Sequence, residues 1–336
     1  MRRALVTGIS GQDGFYLVEL LLNEGYHVTG IVRNRPNDVS ENTRIDQIPG
    51  AVEIVENDLA EQTSLERLLQ KSRPEEVYNL AARASSSELW TDPASTADVN
   101  ALAVLRLLDA IHRVDRRIRF VQASSSELFG ATAEIPQTEF TPFHPRNPYG
   151  VAKAFGHWMT TVYREQRGLF ACSCILYNHE SPRRGLEFVT RKISRGAAMI
   201  KLGLASELRL GNLDARRDWG FAGDYVRALW LSLQQSNPDD YIMATGETHS
   251  VREFCEIAFS HVGLRHEDYL AEDRDNFRSP ETALLVGDPG KAKRILGWSP
   301  TVGFEELVMM MVDADLRSLE MTHGEARPPC GLPAER

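Results

Sequence analysis

Short apolar runs alternate with amphipathic stretches along the first half of the chain. The runs have the length and residue types of buried strands, and they lie at residues 3–7, 27–32, 52–56, 76–80 and 118–124. Apolar residues recur at helical spacing between several of these runs, at residues 15–22, 64–70 and 101–112. Strands that alternate with helices predict an α/β protein with a Rossmann-like doubly wound parallel sheet.

The pattern changes in the middle of the chain. Residues 136–148 are rich in proline and turn-forming residues, and they precede a long predicted helix at 150–166 and a strand at 170–176. Beyond Asn178, mixed short elements predict a smaller mixed α/β substrate domain. The expected organisation is a first domain over 1–177 with a return at 215–236, a substrate-binding portion over 178–322, and a disordered tail over 323–336.

Composition narrows the class of protein. The chain has 336 residues, of which 42% are hydrophobic, and its net charge of −9 argues against general binding to nucleic acid or to membranes. No apolar run approaches the roughly 18 residues of a membrane span, and no signal-peptide pattern is present, so we expect a cytoplasmic protein. Few cysteines for this length favour free thiols over a disulfide or a metal site: Cys172, Cys174, Cys255 and Cys330.

Three glycines form a turn between the first strand and the first helix. Gly8, Gly11 and Gly14 have the spacing G-x-x-G-x-x-G, in which missing side chains let the backbone approach a pyrophosphate at the helix N-terminus. A simple tight turn is the alternative. Arg33 ends the second strand, where an acidic residue would bind NAD, and arginine there favours the 2′-phosphate of NADP. A solvated surface arginine is the alternative reading of Arg33.

Further candidates for NADP binding lie in the same turn or directly after the third and fourth strands. A doubly wound sheet binds its dinucleotide at these strand ends, although loop residues without a ligand would look the same. The candidates are Ser10, Gln12, Asp13, Asp58, Leu59, Leu80 and Ala82.

A second motif follows the fifth strand. Tyr149 and Lys153 lie four residues apart on one helical face, so the lysine ammonium is expected to lower the pKa of the phenol from about 10 and allow a tyrosinate base. Ser125 and Glu127 stand at the end of the strand. A site that only transfers hydride needs no such carboxylate, so Glu127 indicates a second proton transfer. A cap or an ion-pair partner is the structural alternative.

Together these residues resemble one family, the GDP-mannose 4,6-dehydratases of the extended short-chain dehydrogenase superfamily. The resemblance spans nearly the whole chain and includes residues 8–14, 122–128, 148–150, 178–185, 188–194, 211–215, 217–220 and 244–247. The segment Asn-His-Glu-Ser-Pro-Arg-Arg-Gly at 178–185 is highly specific.

The resemblance implies a hydro-lyase that converts a GDP-sugar to its 4-keto-6-deoxy form while NADP stores a hydride. In the corresponding hypothesis, Tyr149 takes a hydroxyl proton as hydride leaves C4, Glu127 takes the C5 proton, and Ser125 and Glu127 help to expel the C6 hydroxyl. The resemblance implies these cofactor contacts: Tyr149, Lys153, His179 and Arg184. It implies a GDP-sugar site lined by Asn178, Val189, Lys192, Arg217 and Arg278, and a homo-oligomer, either dimer or tetramer.

Two departures from the family pattern bear on substrate and assembly. Residues 83–88 read Arg-Ala-Ser-Ser-Ser-Glu where the family typically shows Gln-Ser-His-Val, and Ser85 in place of an imidazole would suit a sugar that is larger at C6. GDP-D-glycero-D-manno-heptose is therefore considered beside GDP-mannose as the substrate. The loop after the second strand carries Asn34 and Pro36, which differ from residues that help relatives form tetramers.

Two other functions share these motifs. A nucleotide-sugar 4-epimerase uses the glycine turn and the Tyr-x-x-x-Lys pair but needs no acid at Glu127. A non-catalytic NADP-binding regulator on the same fold is disfavoured because Tyr149 and Lys153 are both present.

Overall fold

A seven-stranded parallel sheet organises the first of two compact units. A computed structural model describes residues 1–33, 49–84, 90–273 and 284–324. The strands are β1 (Arg3–Thr7), β2 (His27–Val32), β3 (Glu53–Glu56), β4 (Glu76–Asn79), β5 (Arg119–Ser125), β6 (Ala171–Leu176), β7 (Asn178–Glu180), β8 (Leu208–Leu210), β9 (Arg216–Arg217), β10 (Trp219–Phe221), β11 (Asp240–Met243), β12 (His249–Ser250) and β13 (Leu270–Glu272). The helices are α1 (Gln12–Asn23), α2 (Gln62–Ser72), α3 (Pro93–Ala97), α4 (Ala103–Val114), α5 (Pro148–Arg167), α6 (Val189–Lys201), α7 (Ala222–Leu233), α8 (Val251–His261), α9 (Gly290–Leu296) and α10 (Phe304–Gly324).

The order of strands in the large sheet is β11-β6-β5-β4-β1-β2-β3, and every pairing in it is parallel. The chain runs outward in one direction from β1 to β3 and in the other from β4 to β11. Doubly wound sheets bind ligands at the C-terminal ends of the strands where this reversal occurs, here between β1 and β4. The predicted α/β fold class is confirmed.

Helices cover both faces of the sheet, which is why its strands read as continuous apolar runs. Neighbouring residues of β1 point to opposite faces, so Val6 belongs to the cluster that includes α1 and α7, and Leu5 to the cluster that includes α2 and α4. Both side chains are fully buried.

One helical region is more complex than the apolar pattern predicted. The predicted helix at 101–112 corresponds to α4, but α3 and a π-helical turn at Asp98–Leu102 come before it. Asp92 caps α3 by accepting a hydrogen bond from the Ser95 N–H at 3.1 Å, and Pro93 occupies the first turn. Aspartate followed by proline is a helix-start signal, but the polar first turn hides it from a hydrophobic pattern.

The first unit comprises Met1–Glu180, Arg216–Thr248 and Glu281–Gly303, and the second comprises Ser181–Ala215, His249–Pro280 and Phe304–Arg336. The first unit thus includes two segments that the sequence assigned to the substrate-binding portion. One forms β11, which pairs with β6 in the large sheet. The other, residues 284–303, contains the fully buried Trp298, whose indole N–H donates to the carbonyl oxygen of Asp224 at 2.7 Å.

The second unit is built from α6, α8 and α10 with the parallel pair β8 and β13. Asp315 of α10 is fully buried and accepts hydrogen bonds from Arg191 Nη2 at 2.8 Å and from Ser194 Oγ at 2.7 Å, both on α6. The buried carboxylate is therefore paired and hydrogen-bonded, which fixes α6 against α10.

Within the described ranges, no helix is both long enough and apolar enough to cross a lipid bilayer. Over the same ranges, histidine, cysteine and acidic side chains nowhere gather in a group of three that could hold a metal ion. Cys172, Cys174 and Cys255 are buried free thiols, while Cys330 lies outside the described residues.

Candidate active site

The turn between β1 and α1 leaves no room for side chains at two of its glycines. Gly8 has a φ of 68°, and a Cβ there would lie 2.8 Å from the backbone nitrogen of Ala81. A Cβ at Gly14 would lie 2.4 Å from the carbonyl oxygen of Ile9. α1 begins at Gln12 within this turn, so its unpaired N–H groups and its positive dipole end are presented there. The turn therefore fits a dinucleotide pyrophosphate.

A row of buried polar side chains crosses the sheet beside the glycine turn. Thr7, Asn79 and Gln122, here called the polar row, occupy paired positions on β1, β4 and β5. The Thr7 hydroxyl donates to Asn79 Oδ1 at 2.6 Å, and Asn79 Nδ2 donates to Gln122 Oε1 at 2.7 Å. Gln122 Nε2 donates to the carbonyl oxygen of Ala123 at 2.8 Å, and Lys153 Nζ donates to the same oxygen at 2.8 Å. Hydrogen bonds thus connect the end of β1 to Lys153.

Lys153 is almost fully buried one helical turn after Tyr149 on α5. Burial lowers the pKa of Lys153 to about 8, and the negative charge of Asp13 opposes this shift. Lys153 Nζ lies 5.5 Å from the centre of the Tyr149 ring. At neutral pH the lysine is therefore a cation buried close to the phenol ring.

Glu127 lies in a 3₁₀ turn, Ser126–Leu128, that directly follows β5. The backbone N–H of Glu127 donates to Ser125 Oγ at 3.3 Å, so the serine hydroxyl caps the turn. A Cβ at Gly150 would lie 2.5 Å from the carbonyl oxygen of Glu127, which shows how closely the first turn of α5 approaches this segment. The corner between β5 and α5 thus brings Ser125 and Glu127 to the helix that carries Tyr149 and Lys153.

Asn147 connects the two parts of this corner. It is the N-cap of α5, and its Oδ1 accepts a hydrogen bond from the Gly150 N–H at 2.7 Å. Its Nδ2 donates to Glu127 Oε2 at 2.8 Å. Glu127 is therefore held by the residue that caps the helix.

His179 is linked to the first turn of α1. Its Nε2 lies 2.9 Å from Asp13 Oδ2, its Nδ1 lies 2.7 Å from the carbonyl oxygen of Tyr177, and its ring stacks on Tyr225 at 4.8 Å. Gln12 Nε2 donates to the carbonyl oxygen of His179 at 3.0 Å. Both imidazole nitrogens therefore lie within hydrogen-bond distance of an oxygen atom.

The sequence as a whole is similar to one family of known proteins. A sequence model described as GDP-mannose 4,6 dehydratase matches residues 5–311. The chain belongs to this family. GDP-mannose 4,6 dehydratase 1 of Arabidopsis thaliana is 51% identical over 325 residues, which are 93% of this chain and 89% of that protein. GDP-mannose 4,6 dehydratase of Homo sapiens is 46% identical over 339 residues, which are 93% and 91% of the two chains.

A solved structure with the same fold is UDP-glucose 4-epimerase of Thermus thermophilus in complex with NAD. It is 28% identical, with a TM-score of 0.78, and the match covers 93% of this chain and 98% of the epimerase. The resemblance to GDP-mannose 4,6-dehydratases that the sequence suggested is confirmed by the family match.

In this GDP-mannose 4,6-dehydratase family member, the other predicted cofactor residues lie around the C-terminal ends of β1 to β4. Arg33 directly follows β2 and is exposed, and Asp58 follows β3, where its Oδ1 accepts from the Ala60 N–H at 2.9 Å. Leu59 and Leu80 pack partly buried against the core, and Ala82 is exposed. Ser10, in the glycine turn, is partly buried.

The predicted GDP-sugar residues fall in both units. In the first unit, Asn178 of β7 pairs with Trp219 of β10, and Arg217 is the last residue of β9. In the second unit, Val189 and Lys192 lie in the first turn of α6. Also in the second unit, the predicted cofactor residue Arg184 stacks its guanidinium 3.5 Å from the ring centre of Phe188. Ser85 and Arg278 lie outside the described residues.

Sequence reasoning missed the polar row and Asn147. A signal for the row was present, because Thr7, Asn79 and Gln122 are polar residues inside strands that are otherwise apolar. The signal for Asn147 was its position before Pro148, since asparagine followed by proline is a typical start of a helix. Neither signal predicts the hydrogen-bond partner of the residue, because each partner is distant in the sequence.

Proposed function

We propose that this protein is a GDP-mannose 4,6-dehydratase, a hydro-lyase that converts GDP-mannose to the 4-keto-6-deoxy sugar with loss of water. The observation that carries the proposal is the hydrogen bond between the Glu127 carboxylate and Asn147, the N-cap of the helix that presents Tyr149 and Lys153. A dehydration needs groups that transfer protons at two neighbouring carbons of the sugar, and Tyr149 and Glu127 are proposed for these roles. Membership of the family supports the same reaction.

In the proposed mechanism, Tyr149 accepts the proton of the C4 hydroxyl with the help of the buried Lys153 ammonium. A bound nicotinamide would supply reversible hydride acceptance, so that the hydride taken from C4 is the one returned to C6. The resulting C4 ketone acidifies the C5 hydrogen, and Glu127 removes it as a proton. Glu127 then gives this proton to the departing C6 hydroxyl, with Ser125 as hydrogen-bond donor, and water leaves. Tyr149 returns its proton at C5, which restores every protein group.

The dinucleotide that this site takes is proposed to be NADP. The glycine turn fits the pyrophosphate, and the exposed Arg33 after β2 offers a guanidinium to a 2′-phosphate. Titrating NADP and NAD into the wild-type protein and into Arg33→Ala tests this choice. A selective loss of NADP affinity is the expected result, and an equal effect on both dinucleotides would contradict it.

GDP-mannose is the substrate favoured by the family, and GDP-D-glycero-D-manno-heptose remains the alternative suggested by residues 83–88. The two sugars differ by one hydroxymethyl group at C6, so discrimination of about 1–3 kcal/mol is the scale to expect from a single pocket contact. Parallel turnover assays with both sugars decide between them. A preference for GDP-mannose would end the heptose hypothesis.

Mass spectrometry of the product tests the reaction itself. The expected product is lighter than the substrate by one water molecule, whereas a 4-epimerase would release an isomer of unchanged mass. Glu127→Gln should still oxidise C4, seen as transient nicotinamide reduction, while turnover falls by on the order of 100-fold or more. Glu165→Gln, which removes an exposed carboxylate on α5, is the matched control.

The protein is further proposed to act in nucleotide-sugar metabolism in the cytoplasm, as a homo-oligomer, dimer or tetramer. The net charge of −9 argues against nucleic acid or a membrane as a partner. Fractionation of cells tests the proposed location in the cytoplasm, and sedimentation of the purified protein tests the proposed oligomer.

A further inference from the structure

The N-cap of α5 uses both ends of one amide group. Asn147 Oδ1 accepts from the Gly150 N–H at 2.7 Å, and Nδ2 donates to Glu127 Oε2 at 2.8 Å. These two contacts determine the orientation of the amide. In the flipped orientation, the NH2 group would face an N–H donor and the oxygen would face a carboxylate, so both contacts would be lost.

A cap alone does not require asparagine at this position. Serine, aspartate and asparagine cap helices about equally well, because each offers an oxygen to the first-turn N–H groups. Aspartate has no hydrogen to donate, and serine has a single hydroxyl that lies one bond closer to the backbone. Asparagine carries a separate N–H donor beside its cap oxygen, and the carboxylate of Glu127 receives that donor. The side chain of Asn147 therefore has two roles, to cap α5 and to donate to Glu127. Only the first role is needed to begin the helix.

We infer that Asn147 is a positioning residue that holds the Glu127 carboxylate at a fixed position relative to Tyr149. This inference rests on the proposed function. Asn147 begins the helix that carries Tyr149 two residues later, so its amide ties the acid–base carboxylate to the same rigid element as the phenol. The missing side chain at Gly150 lets that element approach the Glu127 backbone closely. The amide of Asn147 holds Glu127 Oε2. Among the residues that the structure describes, Oε1 is then the oxygen left for the C5 proton.

This placement explains how two bases can act on adjacent carbons of one sugar. Hydride and proton transfers need reacting atoms within a few tenths of an ångström of the productive distance, and misplacement by about 1 Å can cost on the order of 100-fold in rate. Without the amide, Glu127 would retain its backbone position through Ser125 but lose the contact that orients its carboxylate.

The test compares Asn147→Ser and Asn147→Asp with wild type. Asn147→Ser keeps an N-cap, so its thermal stability and cofactor binding should stay close to wild type. With Asn147→Ser, the kcat for water loss should fall by on the order of 10–100-fold while KM changes little. C4 oxidation, followed as nicotinamide reduction, should persist.

Asn147→Asp would place a second carboxylate beside Glu127. The pH profile of kcat should therefore move to higher pH. Ser250→Asn, a substitution at the cap of α8, is the control for cap exchange.

Unchanged kcat in Asn147→Ser would overturn the inference, as would a loss of activity that follows a loss of stability or of cofactor binding. Crystal structures of wild type and Asn147→Ser supply a readout that is independent of catalysis. The inference requires the Glu127 carboxylate to leave its wild-type position in the variant, and an unmoved carboxylate would contradict it. If wild type releases no water from GDP-sugars, the proposed function fails, while the crystal structures still decide whether Asn147 positions Glu127.

Discussion

Lys153 is a charged residue whose surroundings disfavour its charge. Its side chain is buried, and the carbonyl oxygen of Ala123 accepts from its Nζ at 2.8 Å. Burial lowers its pKa to about 8 from the ordinary value of 10.5, and the opposing effect of Asp13 is smaller. The folded protein therefore bears the cost of a buried ammonium at neutral pH, and the proposed chemistry uses that ammonium beside Tyr149.

The pH dependence of stability should reveal this cost. Below pH 8 both states hold the proton and the cost is complete. Between pH 8 and 10.5 the unfolded lysine holds its proton while the folded one has released it, so the free energy of unfolding rises with pH by up to about 1.4 kcal/mol per pH unit from this group. Urea unfolding of wild type and Lys153→Met at about pH 7.5 and 9.5 measures it. The difference between the two proteins should change by about 2 kcal/mol in favour of wild type on going to the higher pH. If the free energy of unfolding changed equally with pH in the two proteins, the lowered pKa of Lys153 would be contradicted.

At the scale of elements, the turn between β1 and α1 depends on space as much as on backbone conformation. Gly8 and Gly168 both have a φ of 68°. A Cβ at Gly8 would collide with the backbone of Leu80 and Ala81, whereas a Cβ at Gly168, after α5, would meet nothing within 4 Å. A comparison of the two glycines therefore distinguishes the cost of a left-handed backbone from the cost of a steric clash at Cβ.

Alanine substitutions at these two positions should differ. Gly168→Ala should lower the free energy of unfolding by about 1–2 kcal/mol, the cost of a left-handed conformation alone. Gly8→Ala should cost about 1–3 kcal/mol more, because the turn must also move away from the loop after β4. It should also abolish dinucleotide binding, which Gly168→Ala should leave intact. Chemical unfolding and cofactor titration measure both effects, and equal stability of the two variants would contradict the packing argument.

At the scale of the whole molecule, α5 presents an apolar stripe on its outer face. Val151, Phe155, Trp158 and Val162 recur at helical spacing, and each is more than a third exposed. A groove of about 720 Å³ adjoins the stripe and is lined by Trp90, Leu102 and Phe155 among others. Exposed apolar patches of this kind mark interaction sites, and the proposed homo-oligomer gives this one an occupant, a second copy of the chain.

A charge placed in the stripe should therefore dissociate the oligomer. Trp158→Glu is expected to reduce the sedimentation mass of the protein to that of a monomer, since a carboxylate cannot be buried there without a partner. Arg167→Glu, an exposed charge change on the opposite side of α5, should leave the mass unchanged. A wild-type protein that sediments as a monomer would end the proposal of self-association, and an unaltered mass of Trp158→Glu would move the interface elsewhere.

Much of the fold and part of the candidate site could be predicted from local sequence. The strands β1 to β6 were recognisable because buried parallel strands are short continuous apolar runs. The glycine turn and the pair Tyr149 and Lys153 were recognisable because their chemistry depends on residues within one turn or one helical face. Glu127 was singled out because a carboxylate beside that pair is unusual for a simple hydride transfer.

Contacts between distant segments were decided only by the tertiary structure. The polar row joins Thr7 to Asn79 and Gln122, and its members are neighbours only because β1, β4 and β5 pair in one register. Residues 284–303 belong to the first unit, and Trp298 donates there to the carbonyl oxygen of Asp224, 74 residues away in the sequence. Asn147 donates to Glu127, 20 residues earlier in the sequence, because the start of α5 packs against the end of β5. The sequence by itself determined the family, the fold class and the chemical groups. The tertiary structure decided which groups touch, because hydrogen bonds between side chains depend on distance in space and leave no period in the sequence.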